Sequence, residues 1–412
     1  MFAKLFSATL FATFMLTVCA HAADKETVLY NFSFGPNKIG NPWGGLLKDD
    51  AGNLYGGALD GSIFELSPNG SGGWKLTDLY DCGYVPDCSY SFGSLAMDRA
   101  GNLYGSTYLG NVIEYSPSGN GSWTATTLYS FSIPVDQGGP SPVILDAQGN
   151  LYGISANGGS HGMGNVFELS PASGGAWSLT TLHDFKGSDG AGSDLNNADG
   201  EIGGLVMDSS GNFFGVTGAG GSSKNCGGGC GVVFELSKND SGAWQETILH
   251  SFDRKDGYNP DATLLVDAAG NLYGTTASGG SGGFGTVFET SQASGKWETH
   301  VLYSFTSRVH DGAYPNTALV MDADGNLYGT TISGGGSGEC NVENDTGCGT
   351  AFELSSNGSA WSETILQDFA GGNGVFPGGL IFGADGDLYG ITNGGGHGNA
   401  GNFIKLSSGS SQ

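Results

Sequence analysis

Three histidines in glycine-rich segments are the residues of this chain best suited to acid–base or metal chemistry. His161 lies in a Gly-Ser-His-Gly segment, His397 lies in a Gly-His-Gly segment, and His310 directly precedes an aspartate. Histidine titrates near neutral pH and is the commonest metal ligand in proteins. We therefore keep these three residues as candidate catalytic groups. The sequence shows no nucleophile–base–orienter motif beside them, and we assign no metal ligand.

Five aromatic residues lie outside the regular pattern of the chain and are candidates for ligand binding: Trp43, Tyr84, Tyr258, Tyr314 and Phe376. Three of them occur in a recurring phrase that ends in proline, at residues 256–260, 311–315 and 373–377. The functional interpretation is a platform on which sugar rings stack, because aromatic side chains offer large, amphipathic faces. The structural interpretation is that the rings pack as part of a repeat, and their recurrence favours it.

The elements that must position these side chains are units of a sequence repeat. The phrase Asp-Ala-Asp-Gly-Asn-Leu-Tyr-Gly at 322–329 is one of seven copies, which follow one another at intervals of 48 to 62 residues. A Trp followed eight residues later by Phe recurs in register, as at Trp297 and Phe305. Such β-branched and aromatic segments, bounded by Gly and Asn, predict strands joined by hairpins, four to a unit. The turn glycines of the copies are Gly52, Gly101, Gly149, Gly211, Gly270, Gly325 and Gly386.

Seven such units predict an all-β fold, a seven-bladed β-propeller with four antiparallel strands per blade, because a radial arrangement protects the sheet edges. The last unit lacks its fourth strand, and the segment 26–32 matches the missing strand. We therefore expect the N-terminal strand to join the last blade and close the ring, with residues 23–412 as a single domain. The short turns then lie on one face. The long variable loops lie on the other, which we expect to carry the function.

Carboxylates recur at two positions of the unit. Aspartate opens six turns, at Asp49, Asp98, Asp146, Asp208, Asp267 and Asp322, with Gly383 in the seventh. Glutamate recurs in the predicted third strand, at Glu65, Glu114, Glu168, Glu235, Glu289 and Glu353, with Lys405 in the seventh. These groups could bind Ca²⁺, but the remaining ligands of a calcium loop are missing. We expect them to cap turns and to form hydrogen bonds between blades, and we assign no cofactor.

The N-terminus and the cysteines indicate export. Residues 1–22 predict a secretory signal peptide, with Lys4 before an apolar core and an Ala-His-Ala cleavage site at 20–22. The six cysteines beyond it occur in close pairs, which predicts disulfides in a periplasmic or extracellular protein. A metal site is the weaker alternative, because the pairs fall in different units with no histidine at ligand spacing. The pairs are Cys82/Cys88, Cys226/Cys230 and Cys340/Cys348.

The charge of the chain restricts its partners. Asp and Glu outnumber Lys and Arg by 40 to 14, for a net charge of −26. This argues against binding to nucleic acid or to anionic membrane surfaces. No segment beyond the signal peptide approaches the length of a membrane span. Extracellular polysaccharides and proteins remain compatible partners, and we expect a monomer.

The phrase Asp-x-x-Gly-Asn-Leu-Tyr-Gly-Thr-Thr, followed by Gly-Thr-Val-Phe-Glu, resembles the GloVer tandem repeat of exported bacterial proteins. Residues 270–276 and 325–331 carry the resemblance best, and it spans nearly the whole mature chain. The resemblance implies export and a bacterial source. It brings no established activity and no catalytic residues.

These observations favour an exported binding or interaction module that presents ligand-binding loops on one face of a propeller, for extracellular glycan or protein. The alternative is a metal-assisted lyase or hydrolase on the same face, near His161, His310 and His397. The two differ in one expectation. The enzyme requires several of the histidines to converge with carboxylates around one ion, whereas the binding module requires an aromatic surface and scattered histidines.

Overall fold

Seven antiparallel sheets of four or more strands form the blades of the protein, and each of them corresponds to one copy of the sequence repeat. The computed structural model describes residues 26–407 except 36–37, 71, 83–93, 120, 133–138, 193–202, 309, 337–339, 343–344 and 359, and of 341, 342, 345 and 346 it describes the backbone alone. The predicted signal peptide, Tyr84 and Cys88 lie outside the described residues. The prediction of an all-β, seven-bladed propeller with four antiparallel strands per blade is confirmed.

The strands of a blade are numbered first to fourth in the order in which they pair, and the first strand lies nearest the axis of the ring. Blade 1 comprises Pro42–Lys48, Leu54–Ala58, Ile63–Pro68 and Trp74–Tyr80. Blade 2 comprises Ala96–Met97, Leu103–Ser106, Asn111–Pro117 and Trp123–Ser130. Blade 3 comprises Ile144–Leu145, Leu151–Ser155, Asn165–Pro171 and Trp177–Asp184. Blade 4 comprises Val206–Met207, Phe213–Thr217, Val232–Lys238 and Trp244–Ser251.

The remaining blades follow the same order. Blade 5 comprises Leu265–Val266, Leu272–Thr276, Thr286–Ala293 and Lys296–Ser304. Blade 6 comprises Val320–Met321, Leu327–Thr331, Thr350–Ser356 and Trp361–Asp368. Blade 7 comprises Ile381–Phe382, Leu388–Gly394, Asn402–Leu406 and, as its fourth strand, Glu26–Asn31. The shorter elements are the strands Gly312–Ala313, Ser333–Gly334, Asn341–Val342, Asp345–Thr346 and Val375–Pro377, and a single 3₁₀ turn, Ser173–Gly175.

The two ends of the described chain meet in blade 7. The strand Glu26–Asn31 pairs antiparallel with Asn402–Leu406, with Glu26 opposite Leu406 and Asn31 opposite Asn402. Phe32 follows this strand and is completely buried. The prediction that the N-terminal strand completes the last blade is therefore confirmed, and the sheets form a closed ring.

The glycine of the Leu-Tyr-Gly phrase, which reads Phe-Phe-Gly in blade 4, lies in the second strand directly opposite a residue of the third strand. In five blades that residue is phenylalanine, as in the pairs Gly215/Phe234 and Gly274/Phe288. A Cβ atom on either glycine would lie 2.6–2.7 Å from the ring of its partner, which is too close for any side chain. The glycine therefore allows the aromatic ring to lie flat over the strand.

Neighbouring blades are held together by a belt of phenylalanines. The phenylalanine that ends a fourth strand packs against a third-strand phenylalanine of the next blade, with ring centroids 4.9–5.5 Å apart. In blade 1, Cys82 occupies this position and is likewise buried. Burying large aromatic surface at each blade interface is a main source of stability in this fold. The pairs are Phe32/Phe64, Phe131/Phe167, Phe185/Phe234, Phe252/Phe288 and Phe305/Phe352.

Candidate functional site

A cavity of about 300 Å³ lies on the axis of the ring and is lined by residues in or directly before the first strand of every blade. Glycines bring bare backbone to its wall in blades 1, 4 and 7, as at Gly44, Gly204 and Gly379. Polar side chains enter it mainly from blades 5 and 6, where Asp261 and Asn316 occupy equivalent positions after a proline. The segments that carry these residues connect one blade to the next, so this end of the cavity opens on the variable-loop face.

A smaller recess of about 30 Å³ adjoins the cavity at the junction of blades 6, 7 and 1. Trp43 and Phe376 contribute aromatic rings to it, and Asn316 and Asn393 contribute carboxamides. All four side chains are half-buried. The Asn316 Oδ1 atom is buried and accepts no hydrogen bond from the described residues. An unpaired buried acceptor is costly unless a ligand or a water molecule donates to it.

The backbone next to the cavity is strained at a recurring position. A proline recurs before or at the first strand of four blades, and the residue that precedes it adopts a left-handed conformation, with φ of 52° at Asn41, 53° at Asn259, 59° at Tyr314 and 52° at Phe376. Asparagine tolerates this conformation well, whereas a bulky aromatic residue rarely adopts it. Blades 6 and 7 therefore hold aromatic rings at positions where asparagine would be less strained, and such strain is typical of functional sites.

The structure distributes the predicted aromatic residues over two environments. Trp43 and Phe376 line the recess beside the cavity. The Tyr314 ring packs edge-on against Phe284 at 5.6 Å. The Tyr258 ring lies 4.9 Å below the guanidinium of Arg254. Their roles in ligand binding stay predictions. Of the candidates that the structure describes, only Trp43 and Phe376 line the recess that adjoins the axial cavity.

His161 belongs to a polar group with Ser160 and Asp184. The His161 Nδ1 atom is 3.0 Å from Ser160 Oγ, and that hydroxyl donates to Asp184 Oδ2 at 3.0 Å. In a catalytic triad the histidine lies between the serine and the carboxylate, whereas here the serine lies between the other two. Asp184 ends the fourth strand of blade 3, which is the outermost strand. These hydrogen bonds therefore connect the loop that carries His161 to the outermost strand of the blade.

His310 and His397 have partners at the corresponding position of two other blades. The His310 Nδ1 atom is 3.0 Å from Asp368 Oδ2, and the His397 amide donates to Asn31 Oδ1 at 3.2 Å. Asp368 and Asn31 end the fourth strands of blades 6 and 7. The three histidines thus lie on separate blades, and the one cluster of potential metal ligands among the described residues includes none of them. Their catalytic role stays a prediction.

The turn aspartates accept several hydrogen bonds each and lie at the opposite face. Asp322 Oδ1 accepts the amides of Asp324 and Asn326, and its Oδ2 accepts the Asn326 side chain and the Tyr328 hydroxyl, each at 2.9 Å. Burial raises the pKa of the Asp322 carboxyl, but these hydrogen bonds outweigh the burial and lower the pKa below its usual value. Four accepted bonds use the whole capacity of a carboxylate, so this group caps a turn, as the sequence predicts.

Two of the predicted disulfides are formed, Cys226–Cys230 and Cys340–Cys348. Each lies in the loop between the second and third strands of its blade, on the variable-loop face. Cys82 is also disulfide-bonded, and Cys88, the partner that the sequence predicts for it, lies outside the described residues. Among the described residues, no helix combines the length and the hydrophobicity needed to cross a bilayer.

Fold and site together define an acidic, disulfide-bonded β-propeller with an axial cavity that opens among its variable loops. The model of the Gloeobacter/Verrucomicrobia repeat family matches the chain twice, at residues 12–205 and 201–412. The chain belongs to this family, which is the family that the GloVer-type phrases indicated. No curated protein sequence matches it.

Several solved structures are similar to this chain in fold. PorZ, a surface component of the type-IX secretion system of Porphyromonas gingivalis, is 16% identical with a TM-score of 0.52, covering 92% of this chain but only 48% of PorZ. A gluconolactonase from Xanthomonas campestris is 14% identical with a TM-score of 0.43, over 74% of this chain and 86% of the enzyme. A luciferin-regenerating enzyme is 13% identical with a TM-score of 0.46, over 81% of this chain and 94% of the enzyme. The likeness to PorZ shows a shared fold.

Proposed function

We propose that this protein is an exported carbohydrate-binding module, whose site is the axial cavity together with the recess that Trp43 and Phe376 line. One observation carries the proposal: two aromatic rings and the unpaired acceptor of Asn316 meet in one recess of the variable-loop face. Aromatic faces stack on the apolar faces of sugar rings, and carboxamides can both donate to and accept from sugar hydroxyls.

The size and charge of the site indicate the kind of glycan. A volume of about 300 Å³ is at the lower limit of pockets that hold small ligands, which favours a chain end or a single sugar residue over an extended polymer. Asp261 lines the cavity, and the chain carries a net charge of −26. An anionic polysaccharide would be repelled, so we propose a neutral glycan. The disulfides support a place outside the cytoplasm.

Binding to neutral oligosaccharides tests this proposal. The mature protein is titrated with gluco-, manno- and galacto-oligosaccharides by isothermal calorimetry, after a glycan array has selected the best ligand. We expect Trp43→Ala and Phe376→Asn each to weaken binding at least about tenfold, because aromatic residues dominate binding energies. Phe376→Asn is preferred to alanine, because Asn41 and Asn259 adopt the same left-handed conformation in other blades. The variant therefore removes the ring and keeps the backbone.

Tyr314→Asn is the matched control. It makes the same kind of change at the same position of the neighbouring loop, where φ is also positive, but its ring packs against Phe284. We expect it to bind as the wild type does. Absence of binding to every neutral glycan, or an equal loss in Tyr314→Asn and Phe376→Asn, would overturn the proposal. Turnover of a bound sugar would instead favour the lyase or hydrolase alternative.

A further inference from the structure

A second polar group lies far from the axis, at the seam between the outer strands of blades 3 and 4. His183 projects from the fourth strand of blade 3, Asp189 from the loop that follows, and Glu246 from the fourth strand of blade 4. Their side chains are 18%, 10% and 6% exposed. The three residues thus come from two blades and meet in a nearly closed space.

The spacing of the three side chains suits a metal ion. The His183 Nε2 atom is 3.4 Å from Asp189 Oδ2 and 3.1 Å from Glu246 Oε2. One donor atom of each residue lies within 4.8 Å of the others. Ligands that hold Zn²⁺ tetrahedrally at about 2.0–2.2 Å are separated from one another by about 3.3–3.6 Å. An ion can therefore enter with small side-chain movements.

The hydrogen bonding of the group is incomplete without a ligand. The buried His183 Nε2 atom makes ion-pair contacts with Asp189 and Glu246 but no hydrogen bond of normal geometry. The buried Glu246 Oε1 atom has no hydrogen-bond partner among the described residues. Glu246 is a carboxylate more than nine-tenths buried. Buried polar atoms of this kind usually have a partner. A cation between the two side chains would satisfy both.

The next seam of the ring provides a contrast. His250 and Asp256 occupy the places of His183 and Asp189 between blades 4 and 5, and there His250 Nε2 forms a 2.9 Å hydrogen bond with Asp256 Oδ2. Thr299 stands where the first seam has Glu246. His250 and Asp256 therefore satisfy each other through this hydrogen bond, and Thr299 offers no carboxylate as a third metal ligand.

A glutamate whose buried Oε1 atom makes no hydrogen bond to the described residues also occurs at two other seams, as Glu363 and Glu26. At those seams, however, Tyr303 and Gln367 stand in place of His183. Among the described residues, the combination of histidine, aspartate and glutamate is therefore particular to the seam between blades 3 and 4.

We propose that His183, Asp189 and Glu246 form a binding site for a divalent transition-metal ion of the Zn²⁺ type, which links blade 3 to blade 4. One imidazole nitrogen and two carboxylate oxygens are a donor set that Zn²⁺ accepts, whereas Ca²⁺ requires six to eight oxygen ligands. The nearest cation is Lys186, whose ammonium is 3.5 Å from Asp189 Oδ2. Its side chain is 55% exposed, so the ammonium can turn to solvent when the ion binds.

Titration of the metal-free protein with ZnCl₂ tests the site directly. The protein is treated with a chelator, dialysed and titrated by calorimetry, and bound zinc is counted by elemental analysis. We expect one Zn²⁺ per chain in the tightest class of sites, no comparable binding of CaCl₂, and a higher melting temperature in zinc. Glu246→Gln should weaken this class at least about tenfold, because even outer ligand partners are worth that much.

His250→Gln is the matched control, since it alters the equivalent histidine of the seam without a glutamate, and we expect its zinc affinity to equal that of the wild type. His183→Gln serves as a second ligand variant if circular dichroism shows that Glu246→Gln does not fold. The proposal is overturned if the wild type binds no stoichiometric zinc, or if the folded ligand variants bind it as tightly as the wild type.

Discussion

At the scale of single residues, the repeated aspartate explains why the same turn occurs around the ring. In blade 1, Asp49 Oδ1 accepts the amides of Ala51 and Asn53, at 2.9 and 2.8 Å. The same pattern recurs at the other turns that begin with aspartate. The turn of blade 7 begins instead with Gly383, and there Asp385 accepts from the Tyr389 hydroxyl and from Lys405. An aspartate therefore still accepts hydrogen bonds in this turn, but it lies two residues later in the chain, and one of its donors is Lys405.

Replacing one turn aspartate should destabilise its blade. Asp322→Ala removes an acceptor of four hydrogen bonds and leaves the amides of Asp324 and Asn326 without it. Hydrogen bonds to a charged group contribute about 1.5–3 kcal/mol, and solvent reaches part of this turn. We expect a loss of about 1–3 kcal/mol in the free energy of unfolding, measured by urea denaturation.

Asp324→Ala is the control for this experiment. Asp324 lies in the same turn, but its side chain is exposed and its backbone amide is the group that Asp322 binds. We expect a change within about 0.5 kcal/mol, as for other surface substitutions. Equal losses in the two variants would show that the aspartate cap does not stabilise the turn.

At the scale of elements, the fourth strands of neighbouring blades meet through polar side chains as well as phenylalanines. Between blades 5 and 6, the Tyr303 hydroxyl donates to Glu363 Oε2 at 2.8 Å. Burial, together with the negative charges of Asp311 and Asp368, raises the pKa of the Glu363 carboxyl to about 8, against the hydrogen bond from Tyr303, which lowers it. The glutamate is therefore protonated in the folded protein under mildly acidic conditions.

This seam should weaken as the pH rises. A carboxyl with a folded pKa near 8 and an unfolded pKa near 4.5 contributes its full stabilisation below about pH 4.5 and loses it progressively up to about pH 8. The slope from one such group is at most about 1.4 kcal/mol per pH unit. We expect Glu363→Gln, which imitates the protonated form, to remove this component from urea unfolding measured between pH 5 and 8.

The control for the pH experiment is Glu298→Gln, which removes a carboxylate of the same charge from an exposed position, 53% accessible, on a neighbouring fourth strand. Its pH profile should run parallel to that of the wild type. An unchanged slope in Glu363→Gln would mean that the glutamate is ionised in the fold and that the seam does not respond to pH.

At the scale of the whole molecule, stability depends on closing the ring. The strand Glu26–Asn31 covers the edge of Asn402–Leu406, and Phe32 packs against Phe64 of blade 1. Without this segment, blade 7 would expose a sheet edge and blade 1 would lose a buried aromatic contact. An uncovered edge also offers a surface for aggregation.

Truncation tests the closure. A chain that begins at Ser33 should lose several kcal/mol of stability relative to one that begins at Glu26, because the loss of a buried phenylalanine alone costs about 3–5 kcal/mol. We expect a lower melting temperature and association in gel filtration. If both chains melt at the same temperature as monomers, the strand is an accessory and not the closure of the ring.

Much of the architecture was predictable because each repeat carries its own local signals. The Asp-x-x-Gly-Asn turns, the alternation of the strands and the strand-like segment at 26–32 specify hairpins, blade number and closure through short-range geometry. The axial site was predictable only in part. Trp43 and Phe376 stood out because they break the strand pattern, whereas Asn316 and Asn393 carried no signal of their own, since their importance lies in which blades they face.

The sequence by itself determined the blade, its turns and the ring, because a repeated unit folds by contacts within itself and with its neighbours. Only the tertiary structure decided which distant residues share a site. Glu246 meets His183 63 residues away, and Trp43 meets Phe376 because the two ends of the chain are brought together. Such meetings depend on the angle between adjacent blades and on the closure of the ring, and no local pattern of residues encodes these distances.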